Sequence, residues 1–211
     1  MRSRKRLLKE SRLYLLIDRK IIRPPVLPIV KKLKGSGVDI IQFRDKRSPN
    51  LRILREAVIL SRALKKTRTL FIINDYLEIA LLSGSDGLHL GQSDMPVKLA
   101  RRILGKDKLI GVSCSNLKQA LKAQSEGADY IGIGPVFKSA TKPQAKAIGL
   151  KGIKGLDKIK IPVFAIGNIN LNNLSKIIAC GINRVAVTRA ILKAKNITKA
   201  ASCFSKVLKK V

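Results

Sequence analysis

A short unit recurs along this chain: a helix-like stretch, a glycine, an acidic or polar residue, then an apolar run. It reads Gly37-Val38-Asp39-Ile40, Gly84-Ser85-Asp86-Gly87, Gly127-Ala128-Asp129-Tyr130 and Gly181-Ile182-Asn183-Arg184. Glycine can end a helix in the left-handed conformation without a Cβ clash. A chain that repeatedly leaves a helix and enters a strand stacks βα units, and such units make a parallel sheet.

The apolar runs are Leu13–Ile17, Ile40–Phe43, Leu70–Ile73, Gly87–Leu90, Leu109–Val112, Tyr130–Ile133, Val163–Ile166 and Arg184–Val187. They are continuous rather than alternating, as in strands buried on both faces. Between them lie residues at helical spacing that share a face: Leu51, Leu54, Val58 and Leu64; Leu117, Ala120, Leu121 and Ala123; Leu171, Leu174, Ile177 and Ile178. Asn50, Asp75, Asn116 and Asn170 are of types that cap helix starts, and Gly35, Gly84, Gly105, Gly127 and Gly181 stand near helix ends. About eight βα units predict an α/β fold, a single-domain (β/α)8 TIM barrel. The runner-up, an open doubly wound sheet, lacks its G-x-G-x-x-G fingerprint after the first strand. The 211 residues form one domain, with a core over about 13–192, a basic N-terminal arm 1–12 and a C-terminal helix 197–211.

No apolar run approaches the ~20 residues of a membrane-spanning helix. The run after the basic N-terminus ends at Asp18 and is too short for a signal-peptide core. Cys114, Cys180 and Cys203 are widely spaced and match no metal or redox motif, which suits a reducing, cytoplasmic setting. Cys180 and Cys203 read as small core residues in helices, and Cys114 as incidental. The net charge of +31 attracts polyanions. Lys and Arg are nevertheless spread along the whole chain, and aromatics are only 4%. No specific nucleic-acid role is expected.

In a parallel barrel the chemistry sits at the C-terminal ends of the strands. Gln42, Arg44 and Lys46 alternate after the second run and would face one way. Asn74 and Asp75 follow the third, with Asp75 readable as a helix cap. After the fourth come His89, Gly91, Gln92 and Asp94, the last again a candidate cap. His89 is the only histidine and reads as a packed or hydrogen-bonded residue, so a Ser-His-Asp or Cys-His triad is not expected. Ser113 and Cys114 follow the fifth run. The sixth leads into a polar loop with Lys138, Ser139, Thr141 and Lys142, suited to phosphate. Gly167, Asn168, Thr188 and Arg189 close the series, where late barrel strands often hold phosphate. Two carboxylates suit Mg²⁺, and Arg and Lys suit the phosphates that accompany it.

Six motifs in order resemble the thiamine phosphate synthase family over about residues 13–192. They are Gln42-Phe43-Arg44-Asp45-Lys46, Ile73-Asn74-Asp75, the stretch Gly87 to Asp94, Gly111-Val112-Ser113, Gly132 to Phe137, and Ala165-Ile166-Gly167. The resemblance implies a compact (β/α)8 barrel. It also implies a transferase that condenses hydroxymethylpyrimidine diphosphate with thiazole phosphate, giving thiamine phosphate and pyrophosphate. By the family pattern Asp75 and Asp94 would hold Mg²⁺. Arg44, Lys46 and Lys142 would neutralise the departing diphosphate, and Gln42 and Asn74, with Ser113 nearby, would position the pyrimidine. Ser139, Thr141, Gly167, Asn168, Thr188 and Arg189 fall on the thiazole phosphate side. The partners implied are small molecules, and a homodimer is compatible with them.

The chain departs from the family on that acceptor side. The usual Thr-Pro-Thr-Lys loop is Ser139-Ala140-Thr141-Lys142, the usual Gly-Gly is Gly167-Asn168, and the usual Ile-Ser is Thr188-Arg189. Related thiazole tautomerases carry histidine where this chain has Ser115, and Gly-His where it has Gly134-Pro135. Both differences favour the synthase. A degenerate paralogue that binds a precursor, and a basic nucleic-acid-binding protein, are the remaining alternatives; carboxylates at the site argue against the last.

Overall fold

A computed structural model describes residues 3–23, 25–138 and 145–210. Its eight strands are all parallel and close into a barrel in chain order. They are β1 (Leu13–Asp18), β2 (Ile40–Arg44), β3 (Leu70–Asn74), β4 (Gly87–Leu90), β5 (Leu109–Cys114), β6 (Tyr130–Ile133), β7 (Val163–Ile166) and β8 (Val185–Val187). Closure is made by β1, which pairs with β2 (Tyr14 opposite Ile40) and with β8 (Leu13 opposite Val185). Every apolar run became a strand. Four extend into polar tips, to Asp18, Arg44, Asn74 and Cys114, and the last begins at Val185 rather than Arg184.

The helices are α1 (Arg4–Glu10), α2 (Leu27–Lys32), α3 (Asn50–Leu64), α4 (Leu77–Leu82), α5 (Val97–Leu104), α6 (Leu117–Ser125), α7 (Leu171–Ile178), α8 (Arg189–Leu192) and α9 (Ile197–Leu208). Between β6 and β7 the described residues form only two 3-10 turns, Lys151–Ile153 and Leu156–Lys158. None of the described helices is long and apolar enough to cross a membrane.

The recurring acid has a structural reason. Asp39 accepts the N–H groups of Arg12 and Leu13 at 2.8 and 3.0 Å. Asp86 accepts that of Phe71 at 2.9 Å, and Asp129 that of Ile110 at 2.8 Å. Each acid thus satisfies a donor at the start of the neighbouring strand, where the ladder has no partner for it. The glycine before it is left-handed in all four units, with φ of 88° at Gly37 and 82° at Gly181.

Leu8 of α1 belongs to one buried cluster with Ile40, Leu70 and Leu109, the first residues of their strands, and with Tyr14, Ile72, Tyr130, Phe164 and Ala186. The basic N-terminal stretch is therefore a helix from Arg4 onward that stops the lower end of the barrel. The larger cluster fills the layer between strands and helices.

Helix faces are rotated from the spacing-based expectation. On α3 the buried residues are Ile53, Ala57, Leu60 and Leu64, while Leu51 is 59% exposed. Leu121 and Leu171 also face outward, leaving Ala120, Ala123, Leu174 and Ile177 inside. The expected Leu64, Ala120, Ala123, Leu174 and Ile177 are buried, but with apolar residues on more than one side, spacing alone also admits outward-facing ones. Asn116 and Asn170 cap their helices. Asn50 does not, since Pro49 occupies that position, and α4 is capped at Tyr76 rather than Asp75. Cys180 lies beyond the end of α7 and packs half-buried against the core, and Cys203 in α9 is also only half-buried.

Candidate active site

A cavity of about 430 Å³ opens at the C-terminal strand ends. It brings together Gln42, Arg44, Asn74, Ser113, Gly167, Asn168, Thr188 and Arg189 from five different strand ends. Gln42 and Arg44 share one side of β2, with Phe43 buried on the other. Ser139, Thr141 and Lys142 lie outside the described residues.

Arg44 is locked in place. Its guanidinium donates to Asp18 at 2.7 Å, and that carboxylate also accepts the N–H of Lys20 at 2.8 Å. Asp18 is 1% exposed and lines the cavity. It was not among the residues expected from sequence, although β1 ends on an acid as β3 nearly does. Asp45 does not pair with Arg44. It accepts the N–H groups of Arg47 and Ser48 and faces Arg19, which also pairs with Glu56. Burial alone would raise the Asp45 carboxyl, but those donors and the Arg19 charge outweigh it and hold it below the ordinary aspartate value.

Lys46 and the two candidate metal ligands do not line the cavity but stand beside it. Lys46 Nζ lies 2.5 Å from Asp75 Oδ2. Asp75 has a left-handed backbone, φ 64°, and its N–H donates to the His89 carbonyl at 2.9 Å. Asp94 accepts the N–H of Gly91 at 2.6 Å, so its carboxylate closes the turn after β4 and does not cap α5, whose cap is Pro96. The carboxylates thus occupy neighbouring strand tips, since Asn74 lies opposite His89 in the ladder. No group of three or more His, Cys, Asp or Glu suited to a metal occurs among the described residues. Two carboxylates fit Mg²⁺ where substrate phosphates and water complete its octahedron.

Asn74 has a buried Nδ2 with no hydrogen-bond partner among the described residues. A buried donor left unpaired beside a cavity is poised for a ligand acceptor.

Beneath the cavity runs a chain of polar groups. Gln42 Nε2 donates to the Tyr14 hydroxyl at 2.7 Å, and Tyr14 and Tyr130 hydroxyls lie 2.9 Å apart. Tyr130 reaches His89 Nδ1 at 3.1 Å, and His89 Nε2 lies 2.9 Å from Ser113 Oγ. His89 is thus the hydrogen-bonded residue expected from sequence. Ser113 and His89 do meet in space, but the third member is a phenol rather than a carboxylate, so no Ser-His-Asp triad forms. Burial drives both phenols above the usual tyrosine range. Tyr14 and Tyr130 are site residues that sequence reasoning missed, because a tyrosine inside an apolar run reads as core. Burial pushes the Cys114 thiol up to about 12, which makes it inert.

On the opposite wall, Gly167 has φ 114°, and a Cβ there would meet Pro135 Cα at 2.5 Å. Asn168 is left-handed at φ 49°, and its carbonyl accepts from Asn173 Nδ2 at 3.0 Å. Asparagine tolerates this conformation, so the glycine it replaces is not essential for the backbone. Arg189 is exposed at the cavity wall and has no carboxylate partner among the described residues.

The family model for thiamine monophosphate synthase matches residues 13–191. A thiamine-phosphate synthase of Clostridium acetobutylicum is 39% identical over 204 residues, covering 95% of this chain and 96% of that protein. One from Prochlorococcus marinus is 40% identical over 96% of this chain, which spans only 57% of that longer protein. Among solved structures, a thiamine phosphate pyrophosphorylase from Pyrococcus furiosus superposes with a TM-score of 0.86 at 32% identity, covering 98% of both chains.

Proposed function

The chain belongs to the thiamine monophosphate synthase family, and on that premise we propose how its residues divide the work of this transferase. The reaction joins hydroxymethylpyrimidine diphosphate to thiazole phosphate and releases pyrophosphate. Its difficulty is the charge that grows on the departing diphosphate.

Arg44, fixed by Asp18, presents a rigid guanidinium to the diphosphate oxygens. Lys46 adds a second cation beside Asp75, and Lys142, which follows β6 in sequence, supplies a third. Asp75 and Asp94 would hold Mg²⁺, which when bound neutralises the diphosphate as it leaves. Gln42, Asn74 and Ser113 orient the pyrimidine. The pyrimidine's own amino group stabilises the cation left behind, so no protein base is required. Gly167, Asn168, Thr188 and Arg189, with Ser139 and Thr141, receive the thiazole phosphate, where Arg189 supplies charge in place of the family's serine. The observation that carries this division is the orphaned, buried amide of Asn74, which lines the same cavity as Arg44 and Ser113.

Three free thiols suit a cytoplasmic setting, the substrates are small molecules, and neither a specific nucleic acid nor a membrane is a partner. A homodimer fits the same reading and is read by light scattering. The test of the activity is product formation from the two precursors, with Mg²⁺ and with EDTA. Metal-dependent thiamine phosphate supports the assignment. Binding of the diphosphate without product would instead favour a degenerate paralogue with an altered acceptor pocket.

A further inference from the structure

We propose that Tyr14, Tyr130 and His89 are positioning residues: their one-way hydrogen-bond chain sets Gln42 as an acceptor and Ser113 as a donor toward the pyrimidine ring. This rests on the reading of Gln42 and Ser113 as pyrimidine-side residues.

The direction follows from counting hydrogens. Each hydroxyl has one to give, and a neutral imidazole has one. Gln42 Nε2 donates to Tyr14 at 2.7 Å. Tyr14 then gives its hydrogen to Tyr130, 2.9 Å away, and Tyr130 gives its own to His89 Nδ1 at 3.1 Å. The imidazole proton is thereby placed on Nε2, which donates to Ser113 Oγ at 2.9 Å. The Ser113 hydrogen is left to point into the cavity. With Nε2 turned to Tyr14, Gln42 Oε1 accepts no hydrogen bond from the described residues, and Gln42 lines the same cavity. Tyr14, Gln42, Tyr130 and His89 are all buried at the floor of the cavity.

An acceptor at Gln42 and a donor at Ser113 complement a ring edge with an exocyclic amino group and a ring nitrogen. The oxo analogue, with a carbonyl in place of the amino group and a protonated ring nitrogen, presents the reverse pattern. It leaves buried polar groups opposed rather than paired, which is how a site rejects a near-isostere strongly. The chain is thus a specificity device that acts through Gln42 and Ser113.

The single histidine makes the test direct. Nitrogen-15 NMR of imidazole-labelled protein at about pH 8, above the ordinary histidine pKa, reports the tautomer without any need for turnover. The Nε2–H form is expected, and the Nδ1–H form would overturn the proposal whatever the enzyme's activity. The second reading compares kcat/KM for the aminopyrimidine diphosphate and its oxo analogue. Tyr130→Phe keeps the ring and cuts the chain. It is expected to reduce the discrimination at least about tenfold while leaving KM for thiazole phosphate unchanged. Tyr14→Phe cuts the chain next to Gln42 and should do the same. Unchanged discrimination in both variants overturns the positioning role. The expected tautomer in a wild-type protein that makes no thiamine phosphate would count against the activity assignment alone.

Discussion

At the scale of single residues, charge placement decides what the cavity can hold. Arg189 stands on its wall without a carboxylate partner among the described residues, in a chain whose acids are few. Arg189→Ser is therefore expected to raise KM for thiazole phosphate at least about tenfold with kcat little changed, as loss of a charged hydrogen bond does. An unchanged or lower KM would mean that the side chain crowds the pocket. Asp18 works through Arg44, its partner at 2.7 Å. Asp18→Asn leaves a buried guanidinium uncompensated. Urea unfolding should show a loss of about 3 kcal/mol, and titration calorimetry a weaker grip on the pyrimidine diphosphate. Full stability in that variant would mean that the pair is not formed in solution.

At the scale of elements, the segment from β2 into α3 carries Arg44 and Lys46 and is pinned by Asp45. Its carboxylate accepts backbone N–H groups of Arg47 and Ser48 and faces Arg19. Because its folded pKa is depressed, its stabilisation is present above the unfolded value, about 4, and drains away as pH falls through the folded value. Asp45→Asn should therefore flatten the acid limb of a thermal-denaturation profile below about pH 4. An equally steep limb would place the acid sensitivity elsewhere. The segments also show where periodicity misleads. On α3 the residues Leu51 and Ile53 are both apolar, but only Ile53 meets the barrel. Which stripe turns inward depends on how the helix docks onto the strands, and that is not written in its own spacing.

At the scale of the whole molecule, a charge of +31 is spread over one small barrel whose lower end is stopped by a basic helix. Like-charge repulsion of this size is screened by salt, so the melting temperature should rise between low salt and about 0.3 M NaCl. A flat response would mean that bound anions already neutralise the surface. Leu8→Ala removes the stopper's buried contact and is expected to cost about 2–4 kcal/mol, read by denaturant unfolding, with the cavity at the other end unaffected. The eight parallel strands, the order of the units and most of the cavity wall were legible in the sequence, because burial on both faces and the turn into each strand are local matters. The cap of α4 at Tyr76 rather than Asp75, the helix faces, the stopper and the role of Asp18 were not. Neither was the chain from Gln42 through Tyr14, Tyr130 and His89 to Ser113. Its members come from five strands and are separated by up to 116 residues between directly bonded partners. Residue type and spacing determined that this chain would bury eight strands and end them in polar chemistry. Only closure of the barrel decided which of those polar groups would face one another, because their hydrogen bonds run across the barrel rather than along the chain.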